Sequence, residues 1–73
     1  KKIADNKQLL DTLRAYFAFN GNMMRTAESL FIHRNTLSYR LERIEALTGK
    51  KFSDPDTYRD MLNALMLMDI YPY

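Results

Sequence analysis

Residues 26–43 read TAESLFIHRNTLSYRLER, and this stretch decides the fold. Ala27 and Leu30 continue a short apolar row begun by Met23, and Leu37, Leu41 and Ile44 form a second row at three- and four-residue spacing. Such spacing marks two amphipathic helices. Between them the chain has only residues 29–33 in which to turn, with Leu30 and Ile32 as apolar plugs that hold the helices at an angle. Ala27 is small, and a small residue lets two helices cross closely. The pattern predicts helices at about residues 23–30 and 34–48, the first capped by Asn22, whose side chain can accept from an unpaired N–H. Gly49 closes the second.

The second of these helices has two unlike faces. Leu37, Leu41, Ile44 and Thr48, with Leu47 at the edge, make the inner one. Opposite lie Asn35, Ser38, Tyr39, Glu42 and Arg43, with Arg34 and Thr36 near the start, a mixture of donors and acceptors suited to base edges and phosphates. Asn35 is the choice for reading a base, because an amide can bond bidentately to adenine N6 and N7. Arg34 suits guanine or phosphate, and Tyr39 suits a sugar-phosphate backbone or a thymine methyl. His33, at the helix start, either donates to a phosphate or caps and packs there. Arg40 is on the flank, where it binds phosphate or pairs with an acid of the domain. Lys50 and Lys51 follow the helix C-terminus, where cations favour the dipole and are also placed to bind phosphate.

Toward the N-terminus, Leu9, Leu10, Leu13, Tyr16 and Phe17 give one buried stripe on a helix at about residues 7–19, ended by Asn20-Gly21. Residues 1–6 are expected to be a flexible or linker segment, and the start without Met suggests a fragment of a longer protein. Toward the C-terminus, Asp54-Pro55-Asp56 supplies a capping acid, a Pro at the first helical position and an acid in the first turn. A helix at about residues 55–69 follows. Its apolar arc, with Tyr58, Met61, Leu65 and Met68, is wider than one core face needs, so these residues either fill the core or offer a dimer or interdomain surface. The expected fold is all-α: four helices over residues 7–71 with a helix-turn-helix at the centre.

Composition narrows the function. A chain of 73 residues forms one domain at most and leaves little volume for an active-site cavity. It has no Cys and a single His, no Gly-rich phosphate loop and no paired acids beside a His, so catalytic triads, metal sites and nucleotide loops lack parts. No enzyme activity, cofactor or metal is expected. Glu42 and Glu45 are read as solvated charges or as partners of an Arg such as Arg25. The longest nearly apolar run, MLNALMLM at residues 61–68, falls short of the roughly 20 residues that span a bilayer. No membrane segment is expected, and a cytoplasmic setting fits. The formal charge of +2 is unevenly spread, at +2 for residues 1–21, +3 for residues 22–53 and −3 for residues 54–73. A polyanion would approach the middle and be repelled by the last helix.

The residues GN at 21–22, TA at 26–27, LFIHRNTL at 30–37, YRL at 39–41, Ile44 and LTG at 47–49 resemble the C-terminal helix-turn-helix domain of PucR- and CdaR-type bacterial transcription regulators. The resemblance runs from about Leu9 to the end of the last helix. Such proteins control genes of purine or sugar-diacid catabolism and related pathways, with sensory domains upstream. It implies a fold similar to the C-terminal domain of the nucleoid protein Fis, and it places His33, Arg34, Asn35, Thr36 and Tyr39 on a recognition helix. One position departs from the broader helix-turn-helix pattern: Phe31 stands where Gly often makes the turn. Phe disfavours positive φ, so a differently built turn is expected, with the aromatic ring gaining burial.

Together these observations point to sequence-specific binding of double-stranded DNA through His33, Arg34, Asn35, Thr36, Ser38, Tyr39 and Arg43. The expected form is a homodimer in a full-length regulator, with an upstream sensory domain in the same chain. The alternative is a protein-interaction or dimerisation module that uses the same scaffold without touching DNA.

Overall fold

The computed structural model describes residues 6–70, with side-chain burial over residues 6–67. Four helices follow in order: α1 (Lys7–Ala18), α2 (Met23–Leu30), α3 (Arg34–Thr48) and α4 (Pro55–Ile70). Among the described residues there is no strand, and the fold is all-α. The expected linker lies outside the described residues except for Asn6, whose side chain caps α1 by accepting from the Leu9 N–H at 3.2 Å.

Each helix contributes its apolar stripe to one core. Leu9, Leu13 and Phe17 of α1, Ala27 of α2, Leu37, Leu41 and Ile44 of α3, and Met61 and Leu65 of α4 are all buried. Leu10, Tyr16, Met23, Leu30, Ile32, Phe52, Tyr58 and Leu62 pack around them. Helices α1, α2 and α3 pack pairwise, and α4 joins them through Tyr58, Met61 and Leu65. An aromatic group ties α4 to α1: Phe17 and Tyr58 meet edge to face at 4.8 Å, and Tyr16 lies 5.2 Å from Phe52. Edge-to-face pairs add about 0.5–1.5 kcal/mol beyond their burial. Burial raises the Tyr16 pKa above its usual 10.0, with Tyr58 and Glu45 acting in the same direction.

Met61 and Leu65, at 8% and 6% exposed, are used inside the domain. Their burial matches core filling, the first of the two roles the wide apolar arc allowed. With so little of either side chain accessible, these two offer little surface to a partner, because the fourth helix must close the core of so short a chain. Tyr58 is half-buried against Phe17, and the side chain of Met68 lies outside the described residues. Among the described residues, the large apolar side chains of α4 that are exposed are Met66 and Leu67. At the end of α3, Thr48 and Leu47 are exposed rather than part of the inner face. Both lie beyond the last core layer at Ile44, and the Thr48 hydroxyl donates back to the Ile44 carbonyl at 2.9 Å.

The helix ends are closed in related ways. At the end of α1, the Asn20 N–H donates to the Phe17 carbonyl and the Gly21 N–H to the Tyr16 carbonyl, with Asn20 at φ 55°. The left-handed residue of that closure is therefore Asn20, and Gly21, at φ 80°, follows it. At the end of α2 the same pair of bonds recurs: the Phe31 N–H donates to the Glu28 carbonyl and the Ile32 N–H to the Ala27 carbonyl, both at 3.1 Å. This is a Schellman closure, and it puts Phe31 at φ 58° and ψ 43°. The turn is thus the left-handed one that Gly usually makes, and the expectation of a different turn with a buried ring is overturned. Ile32 packs on the core in place of Phe31, which is 95% exposed. A non-glycine residue held in this region costs about 1–3 kcal/mol.

Candidate nucleic-acid interface

The side chains of α3 divide as helical geometry requires. Leu37, Leu41 and Ile44 point inward, so the residues about 180° away point out. Asn35, Tyr39 and Glu42 are exposed there, Tyr39 at 61%, and Thr36 and Arg43 are exposed on one side of that row. From Asn35 to Arg43 this row covers about 12 Å of helix axis, close to the width of a B-DNA major groove. Ser38 is half-buried and sits on the flank rather than in the middle of the outer row, because it lies only about 100° from Leu37 and 60° from Leu41 around the helix.

The start of α3 is formed by His33. Its Nδ1 accepts from the Asn35 N–H at 3.0 Å, and its backbone is extended at φ −72° and ψ 151°. An accepting Nδ1 requires the neutral ring to carry its proton on Nε2, which leaves Nε2–H as the available donor. Capping and phosphate donation, the two roles read from the sequence, therefore use different ring nitrogens. Arg34 and Asn35 follow, both exposed, and the first turn of α3 contains no acid. The positive end of the helix dipole at this point favours an anion such as a phosphate.

Two interactions fix α3 in place. Arg40, on the flank, donates through Nη1 to the Thr12 hydroxyl at 3.4 Å, so its partner in the domain is a buried hydroxyl rather than an acid. Glu45 accepts from the Phe52 N–H at 2.8 Å, pinning the loop after α3 against the helix that precedes it. Its role is thus more than that of a solvated charge. Glu42 is exposed. The Lys50 N–H donates to the Thr48 hydroxyl at 3.3 Å, so the backbone that carries Lys50 and Lys51 is held at both ends. Neither bond was legible beforehand, since side-chain reach across a fold does not register in periodicity. For the Phe31 turn a signal was present: Ala27 and Ile32 stand five apart, the spacing of the apolar contact that accompanies a Schellman closure.

The family model described as the PucR C-terminal helix-turn-helix domain matches residues 9–67. The chain belongs to this family. Among the relatives of this PucR-type domain, the carbohydrate diacid regulator of Escherichia coli is 46% identical over 67 residues, covering 90% of the chain and 17% of the relative. The purine catabolism regulatory protein of Bacillus subtilis is 39% identical over 67 residues, 92% of the chain and 13% of the relative. The proline-responsive transcriptional activator PutR of Bacillus subtilis is 43% identical over 61 residues, 84% of the chain and 15% of the relative. The PucR-type domain thus spans less than a fifth of the length of these three relatives. No solved structure matches it significantly. The resemblance carried by LFIHRNTL, YRL and LTG is therefore confirmed, and the chain is a helix-turn-helix domain of the type found in transcription regulators. Among the described residues, no helix is long and apolar enough to cross a membrane.

Proposed function

We propose that this domain binds duplex DNA sequence-specifically as the output module of a transcription regulator, with the outer face of α3 in the major groove. The observation that carries the reading is the set of exposed residues Asn35, Thr36, Tyr39 and Arg43 on a helix whose other face buries Leu37, Leu41 and Ile44 in the core. In this arrangement Asn35 reads a base, and Arg34 contacts guanine or phosphate. His33 donates from Nε2 to a phosphate while Nδ1 keeps the cap. Thr36, Tyr39 and Arg43 contact the groove wall, and Ser38 contributes from the flank. The basic middle of the chain draws the polyanion in, and the acidic C-terminal stretch repels it.

One short helix reads few bases, so the working form is a homodimer on two half-sites about one helical turn apart. In the full-length regulator an upstream sensory domain of the same chain takes the effector and this domain supplies the DNA output; the names of the relatives, which mention purine catabolism, carbohydrate diacids and proline, fit effectors that differ among such proteins. Such a module works in the bacterial cytoplasm, where the chromosome is. The test is selection of bound sequences from a random duplex pool, followed by gel-shift titration at moderate salt. A recurring consensus bound well above scrambled DNA supports the reading. No shift at micromolar protein would instead favour a protein-interaction or dimerisation module on the same scaffold.

A further inference from the structure

Phe31 combines two properties that work against stability. Its backbone is left-handed at φ 58°, a conformation that suits Gly, and its ring is 95% exposed. The closure of α2 demands the left-handed backbone but not the aromatic ring, because the neighbouring Ile32, whose N–H bonds to the Ala27 carbonyl, is the residue that packs on the core there. Inside the domain, the ring returns no packing for the strain it accompanies. Strain held without internal compensation points to a contact outside the molecule.

The position of Phe31 identifies that contact. The residue stands in the turn immediately before the His33 cap, so its ring is at the rim where α3 begins. Arg34 and Asn35 are exposed just beyond it, and the first turn of α3 has no acid, which favours an anionic neighbour such as the phosphate backbone of the duplex proposed above. Glu28, one turn earlier on α2, is exposed to solvent. A duplex offers apolar surface at this rim, in the faces of deoxyribose rings along the groove edge and in thymine methyl groups. We propose that Phe31 is an apolar DNA contact, packing its ring on the groove edge beside the N-terminal end of α3. This inference rests on the DNA-binding reading above.

The experiment compares the chain with Phe31→Gly, Phe31→Asn and Phe31→Tyr, using a duplex recovered by selection with the unsubstituted chain. Gly and Asn both accept the left-handed backbone, so their thermal midpoints should equal or exceed that of the parent. Their affinity for the duplex should fall about tenfold, as expected for loss of a partly buried aromatic ring. The slope of log affinity against log salt should not change, because no phosphate charge is involved. Phe31→Tyr should bind as the parent does. Unaltered affinity in Phe31→Gly and Phe31→Asn overturns the inference while leaving the DNA-binding reading intact. So does a shallower salt slope, or a change in sedimentation with affinity preserved, which would assign the ring to a second copy of the chain. If the unsubstituted chain recovers no duplex at all, the DNA-binding reading itself fails and takes this inference with it.

Discussion

The guanidinium of Arg40 on α3 donates to the hydroxyl of Thr12 on α1, joining positions 28 apart in sequence across 3.4 Å. Thr12 is fully buried and donates in turn to the Gln8 carbonyl at 2.8 Å. The path links the flank of the candidate recognition helix to the interior of the helix behind it. At 3.4 Å the Arg40 bond is at the long end of the range, so its contribution belongs at the lower end for such bonds. Thr12→Val keeps the shape and removes the hydroxyl. It should lower stability by about 0.5–1.5 kcal/mol, read as a fall of roughly 4–8 °C in thermal midpoint per kcal/mol.

The contact between α2 and α3 depends on the small size of Ala27, which is buried at 5% exposed. Ala27→Leu should overpack this crossing and cost about 1–3 kcal/mol. Chemical denaturation followed by circular dichroism checks it, with a lower midpoint and an unchanged slope as the expected result.

Asn35 and Arg43 should fail in different ways. Asn35→Ala should lower discrimination between the selected duplex and a scrambled one, by about 1–3 kcal/mol if its amide reads an adenine. Arg43→Ala should weaken binding to both and reduce the salt slope by about 0.9, the value for one phosphate contact. Equal losses on both duplexes for Asn35→Ala would remove its base-reading role.

His33 separates capping from DNA contact. Asn is a stronger capping residue than His, so His33→Asn should preserve or raise the thermal midpoint. It shortens the reach and deletes the Nε2 donor, and affinity for the selected duplex should therefore fall. His33→Ala should lose both, with about 1 kcal/mol of stability removed along with the cap.

The raised pKa of Tyr16 makes a prediction at alkaline pH. Its phenol is held neutral by burial first, then by Tyr58 and Glu45. The folded value exceeds the unfolded one, so the stabilisation is complete below pH 10 and is lost as pH rises through the folded value. Thermal midpoints measured from pH 8 upward should fall above about pH 10, and Tyr16→Phe should reduce that fall.

Periodicity made the four helices legible to within a residue or two, because Leu9, Leu13 and Phe17, and likewise Leu37, Leu41 and Ile44, recur at the spacing only a helix brings to one face. Capping was legible where a side chain acts on its own local backbone, as Asn22 does on the Arg25 N–H and Asp54 on the Asp56 N–H. The outer row of α3 followed by subtraction from its inner row, and the flank position of Ser38, about 60° from Leu41 around the same helix, was legible from that spacing but was assigned to the outer face. What sequence could not show was long-range or counter to propensity: Arg40 reaching Thr12, Glu45 holding the Phe52 N–H, and Phe31 adopting a backbone its side chain disfavours. The last of these was decided by the hydrogen bonds of Ile32 and Phe31 to α2, which outweigh the local preference of one residue.

The burial of Leu37, Leu41 and Ile44 leaves Asn35, Thr36 and Tyr39 without duties in the core. Exposed substitutions of that kind usually change stability by less than about 0.5 kcal/mol. The surface chemistry of this helix can therefore be rewritten while the scaffold stays as it is, and a library varied at these three positions should yield domains that melt together while differing in what they bind.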